Sequence, residues 1–145
     1  MATITTSGPV DEPVPHKVVF VVVGMDENYC FMNVADPENP ERLTLDLQER
    51  CELVFTLSDT LIEAGWTFQA RPITIERDFG VNFSSYVWVP YTLPGEDEPS
   101  RHTRFKIIYE CKRMGVYEYS LLMQDRFGQQ INLDPDVDNG IGQVP

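Results

Sequence analysis

The chain has 145 residues, 42% of them hydrophobic, and its 23 acidic and 11 basic side chains give a formal net charge of −12. This length provides one domain with a core of its own. The negative charge argues against binding to nucleic acid, which depends on Lys and Arg, and to anionic membrane surfaces. No apolar run reaches the roughly 20 residues of a membrane helix. We interpret the acidic surplus first as a means of keeping the protein in solution.

The N-terminal segment differs in composition from the rest of the chain. Residues 1–15 contain three prolines among small and acidic residues, which predicts a loose arm. We expect a single β-sandwich domain over residues 16–139 and a short tail over residues 140–145. The first residues lack the basic start and apolar middle of a secretory signal, so a cytoplasmic location is expected. Residues 17–24 are rich in valine, which predicts a first strand covered on both faces.

Alternation of apolar and polar side chains predicts several further strands. The alternating segments are residues 28–34, 43–47, 51–57 and 85–91. A helix over residues 43–57 is the competing interpretation, given Leu47-Gln-Glu-Arg50, but the period of two favours strands. Ser58 is positioned to cap one helical turn, which Gly65 would close.

Prolines indicate the structure of two later segments. Pro72 interrupts an alternating set that runs from Trp66 to Ile75, which predicts an edge strand or a bent strand. Residues 92–103 contain two prolines, one glycine and three successive acidic residues, and they are predicted to form an exposed loop.

Residues 104–139 show the clearest pattern in the chain. Apolar side chains alternate in three runs: Phe105, Ile107, Tyr109 and Cys111, then Tyr117, Tyr119, Leu121 and Met123, then Ile131 and Leu133. Gly115 and Gly128 stand where tight turns need a positive φ. The pattern predicts one edge of an antiparallel sandwich. Together with the short strands before it, it predicts an all-β, immunoglobulin-like sandwich of about seven to nine strands.

The end of this segment carries a recognisable signature. Its elements are Gly115-Val-Tyr117-Glu-Tyr119, Asp125-Arg-Phe-Gly128 and Leu133-Asp134-Pro135 followed by Asn139. Tyr117 is placed as the tyrosine that opens a late strand in immunoglobulin-like sandwiches. Over residues 115–139 the chain resembles the DP-EP family of uncharacterised bacterial β-sandwich proteins. The resemblance implies a compact β fold and brings no catalytic residues.

The Asp-Pro and Glu-Pro elements of that family have candidate positions in this chain. Asp134-Pro135 would supply the first element, and either Glu98-Pro99 or Glu12-Pro13 would supply the second. The resemblance leaves the choice between the last two open.

Three aspartates near the C-terminus form a weak candidate calcium site. Asp134, Asp136 and Asp138 stand at alternate positions, as in the start of an EF-hand loop. Such a loop needs glycine at position six and glutamate at position twelve, where this chain has Asn139 and Pro145. An Asp-Pro turn is the competing interpretation.

The remaining signals for chemistry are weak. Cys30, Cys51 and Cys111 form no Cys-x-x-Cys pair, and we interpret them as reduced thiols, with a Cys51–Cys111 disulfide as the alternative. The two histidines, His16 and His102, do not cluster with the cysteines, so no copper or zinc site is predicted. No nucleophile motif or phosphate-binding loop is present. The sequence therefore predicts neither an enzyme nor a cofactor.

The function expected from these observations is recognition rather than catalysis. We predict a non-enzymatic structural or protein-interaction module that self-associates through the first strand or through the edge carrying Pro72. A carbohydrate-binding module is the alternative, because Tyr86 and Trp88 share one face of their strand and Tyr91 follows closely; packing in the core is the competing role for these rings. A hydrolase is the more remote alternative.

Overall fold

The computed structural model describes residues 17–35, 45–75, 82–112, 115–133 and 136–139. These residues form ten strands and one short helix: β1 (Val18–Met25), β2 (Phe31–Asn33), β3 (Leu45–Asp46), β4 (Cys51–Leu57), α1 (Asp59–Glu63), β5 (Thr67–Ile75), β6 (Val87–Trp88), β7 (Arg104–Tyr109), β8 (Gly115–Gln124), β9 (Gln130–Leu133) and β10 (Asp136–Asn139). Eight of the ten strands remain when the two-residue strands β3 and β6 are set aside. The prediction of an all-β sandwich is confirmed. The predicted arm and tail lie outside the described residues.

The strands form two sheets. The first has the order β2-β1-β4-β7-β6, and the second has the order β3-β10-β8-β5, with β9 also paired to β8. Most neighbours are antiparallel, as predicted. However, β1 lies parallel to β4, with Val18 opposite Glu52 and Val23 opposite Leu57. A tight hairpin cannot join parallel neighbours, and here the chain passes through β2 and β3 before it returns as β4.

The C-terminal third of the chain supplies mainly interior strands, with β9 alone having a single described neighbour, so the prediction that the whole segment forms an edge is wrong. β7 lies between β4 and β6 in the first sheet. In the second sheet β8 pairs with β5 on one side and with β9 and β10 on the other. The alternating pattern shows only that one face of a strand is buried. It carries no information on how many neighbours the strand has within its sheet.

Aromatic side chains join the two sheets in the core. Phe105 of β7 is fully buried and stacks on Phe55 of β4, with ring centroids 5.0 Å apart. Its ring also meets Phe68 of β5 edge-on at 4.9 Å. Phe55 in turn contacts Tyr119 of β8 at 5.9 Å. Contacts of this kind add to the free energy gained by burying the rings.

The local predictions for the helix and for the turns at Gly65 and Gly128 are confirmed, whereas Gly115, also predicted in a turn, is the first residue of β8 and pairs with Asn139. The Ser58 hydroxyl oxygen caps α1 by accepting a hydrogen bond from the Leu61 N–H at 3.3 Å. Gly65 follows the helix with φ +93°, and Gly128 occupies the β8–β9 turn with φ +84°. Both values lie in the left-handed region that favours glycine.

Candidate functional site

The N-terminal half of β1 is an open edge of the first sheet. β2 pairs with β1 only from Val23 to Met25, whereas β4 pairs with it from Val18 to Val23. Residues 18–21 therefore have a described neighbouring strand on one side alone. An edge of this kind presents unpaired backbone groups to any other strand that approaches.

Asn33 determines where the pairing between β1 and β2 ends. Its side chain is buried, and its Oδ1 atom accepts hydrogen bonds from the Val22 N–H at 3.0 Å and from the Ala35 N–H at 3.1 Å. The Val34 N–H donates to the Val22 carbonyl at 2.8 Å. Because the Asn33 side chain takes the place of a backbone acceptor, the ladder stops at Val22. The preceding residues of β1 stay outside it.

The backbone groups of Val18 and Phe20 face the open side of β1. The Lys17 carbonyl accepts a hydrogen bond from the Glu52 N–H of β4 at 2.9 Å. Since backbone polar groups alternate between the two edges of a strand, the odd-numbered residues of β1 face β4 and the even-numbered ones face away. Val18 and Phe20 thus each direct one N–H and one carbonyl to the side that no described strand occupies.

The outer face of β1 is also open, so the prediction that this strand is covered on both faces is wrong. Val21 and Val23 point into the core and are fully buried, but Val18 is 44% exposed and Phe20 is 48% exposed. Phe20 lies opposite Val54 of β4, which is on the same face. The valine-rich sequence reflects a strand with a parallel neighbour. Val54 on the same face is only 6% exposed, so the opening lies at Val18 and Phe20.

Three other edge strands, β5, β3 and β6, have features that hinder strand pairing. β5 is an edge strand of the second sheet, but its ladder with β8 is irregular between Phe68 and Ile73, and the buried Pro72 lies in the break. The prediction of a bent edge strand at Pro72 is therefore confirmed. A proline has no N–H to donate, and a bulge twists the edge away from a partner. β3 and β6 have only two residues each.

The three aromatic residues predicted as a ligand surface are half-buried and contact other protein groups. Trp88 stacks on His102 with ring centroids 4.1 Å apart, and Tyr86 meets Trp88 edge-on at 5.8 Å. The Tyr91 hydroxyl donates a hydrogen bond to Asp59 Oδ1 at 2.7 Å, which raises the pKa of Tyr91. These rings are not arranged as one flat platform, and each has a packing role.

The candidate calcium residues lie partly outside the described residues. Asp134 is not described, whereas Asp136 and Asp138 belong to β10, which pairs with β8 on one side and β3 on the other. A calcium loop winds around its ion, while this backbone is extended. The calcium site stays a prediction. Over the described ranges, no three His, Cys, Asp or Glu residues form a group that could hold a metal ion.

The signature residues at the C-terminus belong to paired strands where they are described. Tyr119 is buried in the core. Tyr117 lies opposite Val137, and Asn139 lies opposite Gly115, in the pairing of β8 with β10. Pro135 lies outside the described residues. The predicted back-bonding role of the Tyr117 hydroxyl stays a prediction.

No disulfide joins any of the three cysteines, all of which are described. Cys51 is fully buried, Cys111 is half-buried, and Cys30 is exposed. Burial raises the pKa of Cys51 to about 11, so this thiol is un-ionised at neutral pH. The alternative of a disulfide between Cys51 and Cys111 is not realised in this structure.

Comparison with known proteins identifies no family for this chain, and its described helix does not span a membrane. Neither a protein-family model nor a curated protein matches the sequence. Within the described residues, no helix has the length and apolar character needed to cross a bilayer.

Proposed function

We propose that this protein is a non-enzymatic interaction module that pairs the open edge of β1 with another β-strand, first of all with the same edge of a second copy. One observation carries the proposal: on the side of β1 that no described strand occupies, the outward backbone groups of Val18 and Phe20 lie beside their exposed side chains. Strand addition uses both features, because backbone hydrogen bonds supply affinity and alternate side chains supply specificity.

A two-fold pairing of this edge has one natural register. If two copies of β1 run antiparallel about Val19, then Val18 of each copy lies opposite Phe20 of the other. Both residues direct their N–H and carbonyl groups outward, so the two pairs can exchange their backbone hydrogen bonds. The two apolar cross-strand pairs would each contribute roughly 0.2–1 kcal/mol. The first sheets of the two copies would then form one continuous sheet.

Charge and size limit the strength of this contact. Each chain carries a formal net charge of −12, so two copies repel one another. The open edge is also short, because Asn33 and Val34 already occupy the outward groups of Val22. We expect dimers at protein concentrations on the order of 0.1–1 mM, and more of them as added salt screens the repulsion.

Sedimentation equilibrium of the wild type and two lysine variants tests the proposal. Phe20→Lys places a charge on the open edge, a device that blocks pairing in natural sheets. Val87→Lys is the matched control, because Val87 is 55% exposed, lies on the outer face of the same sheet and undergoes the same change in charge. We expect the wild type and Val87→Lys to dimerise in 0.5 M salt and Phe20→Lys to remain monomeric.

Two results would contradict the proposal. One is a wild type that stays monomeric at every concentration and salt level. The other is equal loss of dimers in Val87→Lys and Phe20→Lys, which would locate the contact elsewhere on the sheet.

We propose the cytoplasm as the site of action, since a reducing compartment suits three cysteines that form no disulfide. Membership of the DP-EP family stays a prediction from residues 115–139. The carbohydrate alternative through Tyr86, Trp88 and Tyr91 also stays a prediction, although the contacts of these rings favour their packing role. No observation on the described residues favours the hydrolase alternative.

A further inference from the structure

The bulge in β5 forms one wall of a groove that shares no residue with the β1 edge. Phe68 pairs with Met123 of β8 and Ile73 pairs with Leu121, so four residues of β5 stand against a single residue of its partner. The extra residues leave the ladder between these two pairs. Bulges of this kind often redirect side chains toward a binding site.

The groove has a volume of about 520 Å³, within the range of small-molecule sites. β5 contributes residues of its bulge, the ends of β8 and β9 contribute glutamines, and the turn before β7 contributes the opposite wall. The polar side chains that line it are Thr67, Gln69, Arg71, Arg101, His102, Gln124 and Gln130.

The charge of this lining is opposite to that of the whole protein. No carboxylate is among the groove residues, although the chain has 23 acidic side chains. Elsewhere Lys17 is paired with Glu49 at 2.9 Å, and Arg50 is paired with Glu110 at 2.7 Å. Arg71 and Arg101, in contrast, form no ion pair with any described residue. Within the described part of the chain, two guanidinium groups are therefore available to an anion in this groove.

Several contacts hold the groove in a fixed shape. The Gln69 side chain donates from Nε2 to the Met123 carbonyl at 2.9 Å, which ties the bulge to β8. The Tyr86 hydroxyl donates to the Ala70 carbonyl at 3.2 Å. Across the groove, the His102 carbonyl accepts from the Phe68 N–H at 2.8 Å. A site held in this way loses little conformational entropy when a ligand binds.

His102 itself is constrained as part of the wall. Its backbone has φ +57°, in the left-handed region that few residues other than glycine adopt. Its ring stacks on Trp88 at an interplanar angle of 11°. Burial and the nearby Arg101 lower the pKa of His102, so its ring is neutral at pH 7. A neutral imidazole can donate to or accept from a hydroxyl group.

We infer that this groove binds a carboxylated sugar, such as a hexuronate unit. The guanidinium groups of Arg71 and Arg101 suit a carboxylate, which accepts paired hydrogen bonds from such a fork. The glutamine amides both donate and accept, as sugar hydroxyls do. The net charge of −12 disfavours long polyanions, which leaves a ligand with few negative charges.

Titration of isotope-labelled protein with sodium glucuronate, followed by NMR, tests this inference. We expect the backbone signals of Arg71 and His102 and the side-chain amide signals of Gln124 and Gln130 to shift in a saturable way. Glucose, which lacks the carboxylate, and sodium sulfate, which lacks the hydroxyl groups, should leave them unchanged. The inference is overturned if glucuronate causes no shift at these residues, or if glucose or sulfate causes the same shifts.

Charge-neutralising variants provide a second readout. Arg71→Gln and Arg101→Gln should each weaken glucuronate binding roughly tenfold, the loss expected for one charge-assisted contact. Arg126→Gln is the matched control, since Arg126 is exposed, lies over the Phe127 ring at 4.7 Å and does not line the groove. Equal weakening in Arg126→Gln would show a general effect of net charge and would overturn the assignment.

Discussion

β1 and β5 are both exposed along part of one edge, yet their backbones differ. The N-terminal half of β1 is regular, and Val18 and Phe20 direct hydrogen-bonding groups away from the sheet. β5 is bulged between Phe68 and Ile73 and contains Pro72. A regular edge can accept another strand, whereas a bulged edge cannot continue the ladder and forms a concave surface instead. The comparison indicates that one sandwich can present two kinds of binding surface.

The largest effect on stability is expected when a core residue that supports both edges is replaced. Phe105→Ala removes a fully buried ring that contacts Phe55 in the first sheet and Phe68 at the start of the bulge. The free energy of unfolding should fall by about 3–5 kcal/mol, as measured by urea denaturation. Val87→Ala is the control on the exposed face and should change it by less than about 0.5 kcal/mol. A loss below about 1 kcal/mol in Phe105→Ala would mean that the sheets do not pack through this ring.

A smaller loss is expected at the residue that limits the open edge. Asn33→Ala removes the acceptor for the Val22 and Ala35 N–H groups, at a cost of about 1–3 kcal/mol in the free energy of unfolding. It should also promote dimers in sedimentation experiments, because the unpaired stretch of β1 becomes longer. Asn132→Ala, at an exposed position of β9, should change neither quantity. Unchanged dimerisation in Asn33→Ala would show that Asn33 does not define the edge.

A variant at the bulged edge is expected to lower the free energy of unfolding more modestly. Tyr86→Phe removes the hydrogen bond to the Ala70 carbonyl and should cost about 0.5–1.5 kcal/mol in the free energy of unfolding. Glucuronate binding should weaken, while dimerisation stays as in the wild type. Tyr29→Phe is the control, since Tyr29 is 82% exposed. Equal effects of Tyr86→Phe on both binding reactions would contradict the independence of the two edges.

The smallest expected effect is the contribution of His102 to the pH dependence of stability. The pKa of His102 is lowered from 6.5 in the folded protein by burial and by Arg101. The unfolded chain therefore takes up a proton at a higher pH than the folded protein does. This contribution to stability is present above pH 6.5 and is lost as the pH falls through the lowered pKa. Urea denaturation at pH 7 and pH 5 should show a greater loss in the wild type than in His102→Gln. Equal losses would exclude His102 as a source of the pH dependence.

Sequence reasoning predicted those features that depend on neighbouring residues. The cap at Ser58, the positive φ of Gly128 and the strand nature of β4 follow from local side-chain chemistry and from a period of two. The bent edge at Pro72 follows from the missing N–H of proline.

Features that depend on pairing between distant segments were not predicted correctly. The parallel pairing of β1 with β4 and the interior positions of β7 and β8 are decided by contacts that no local pattern encodes. The groove was missed for the same reason, because Arg71 and Arg101 come together only through the bulge and the turn before β7. The position of Arg71 directly before Pro72, where the strand was predicted to bend, was the one available signal.

Hydrogen exchange of the β1 amides at two protein concentrations is the sharpest test of strand pairing at the open edge of β1. Val19 and Val21 face β4 and should exchange slowly in both samples, so they serve as the internal reference. The account predicts that the Val18 and Phe20 amides exchange fast in the dilute sample and slowly in the concentrated one. Fast exchange of both amides at both concentrations would contradict it.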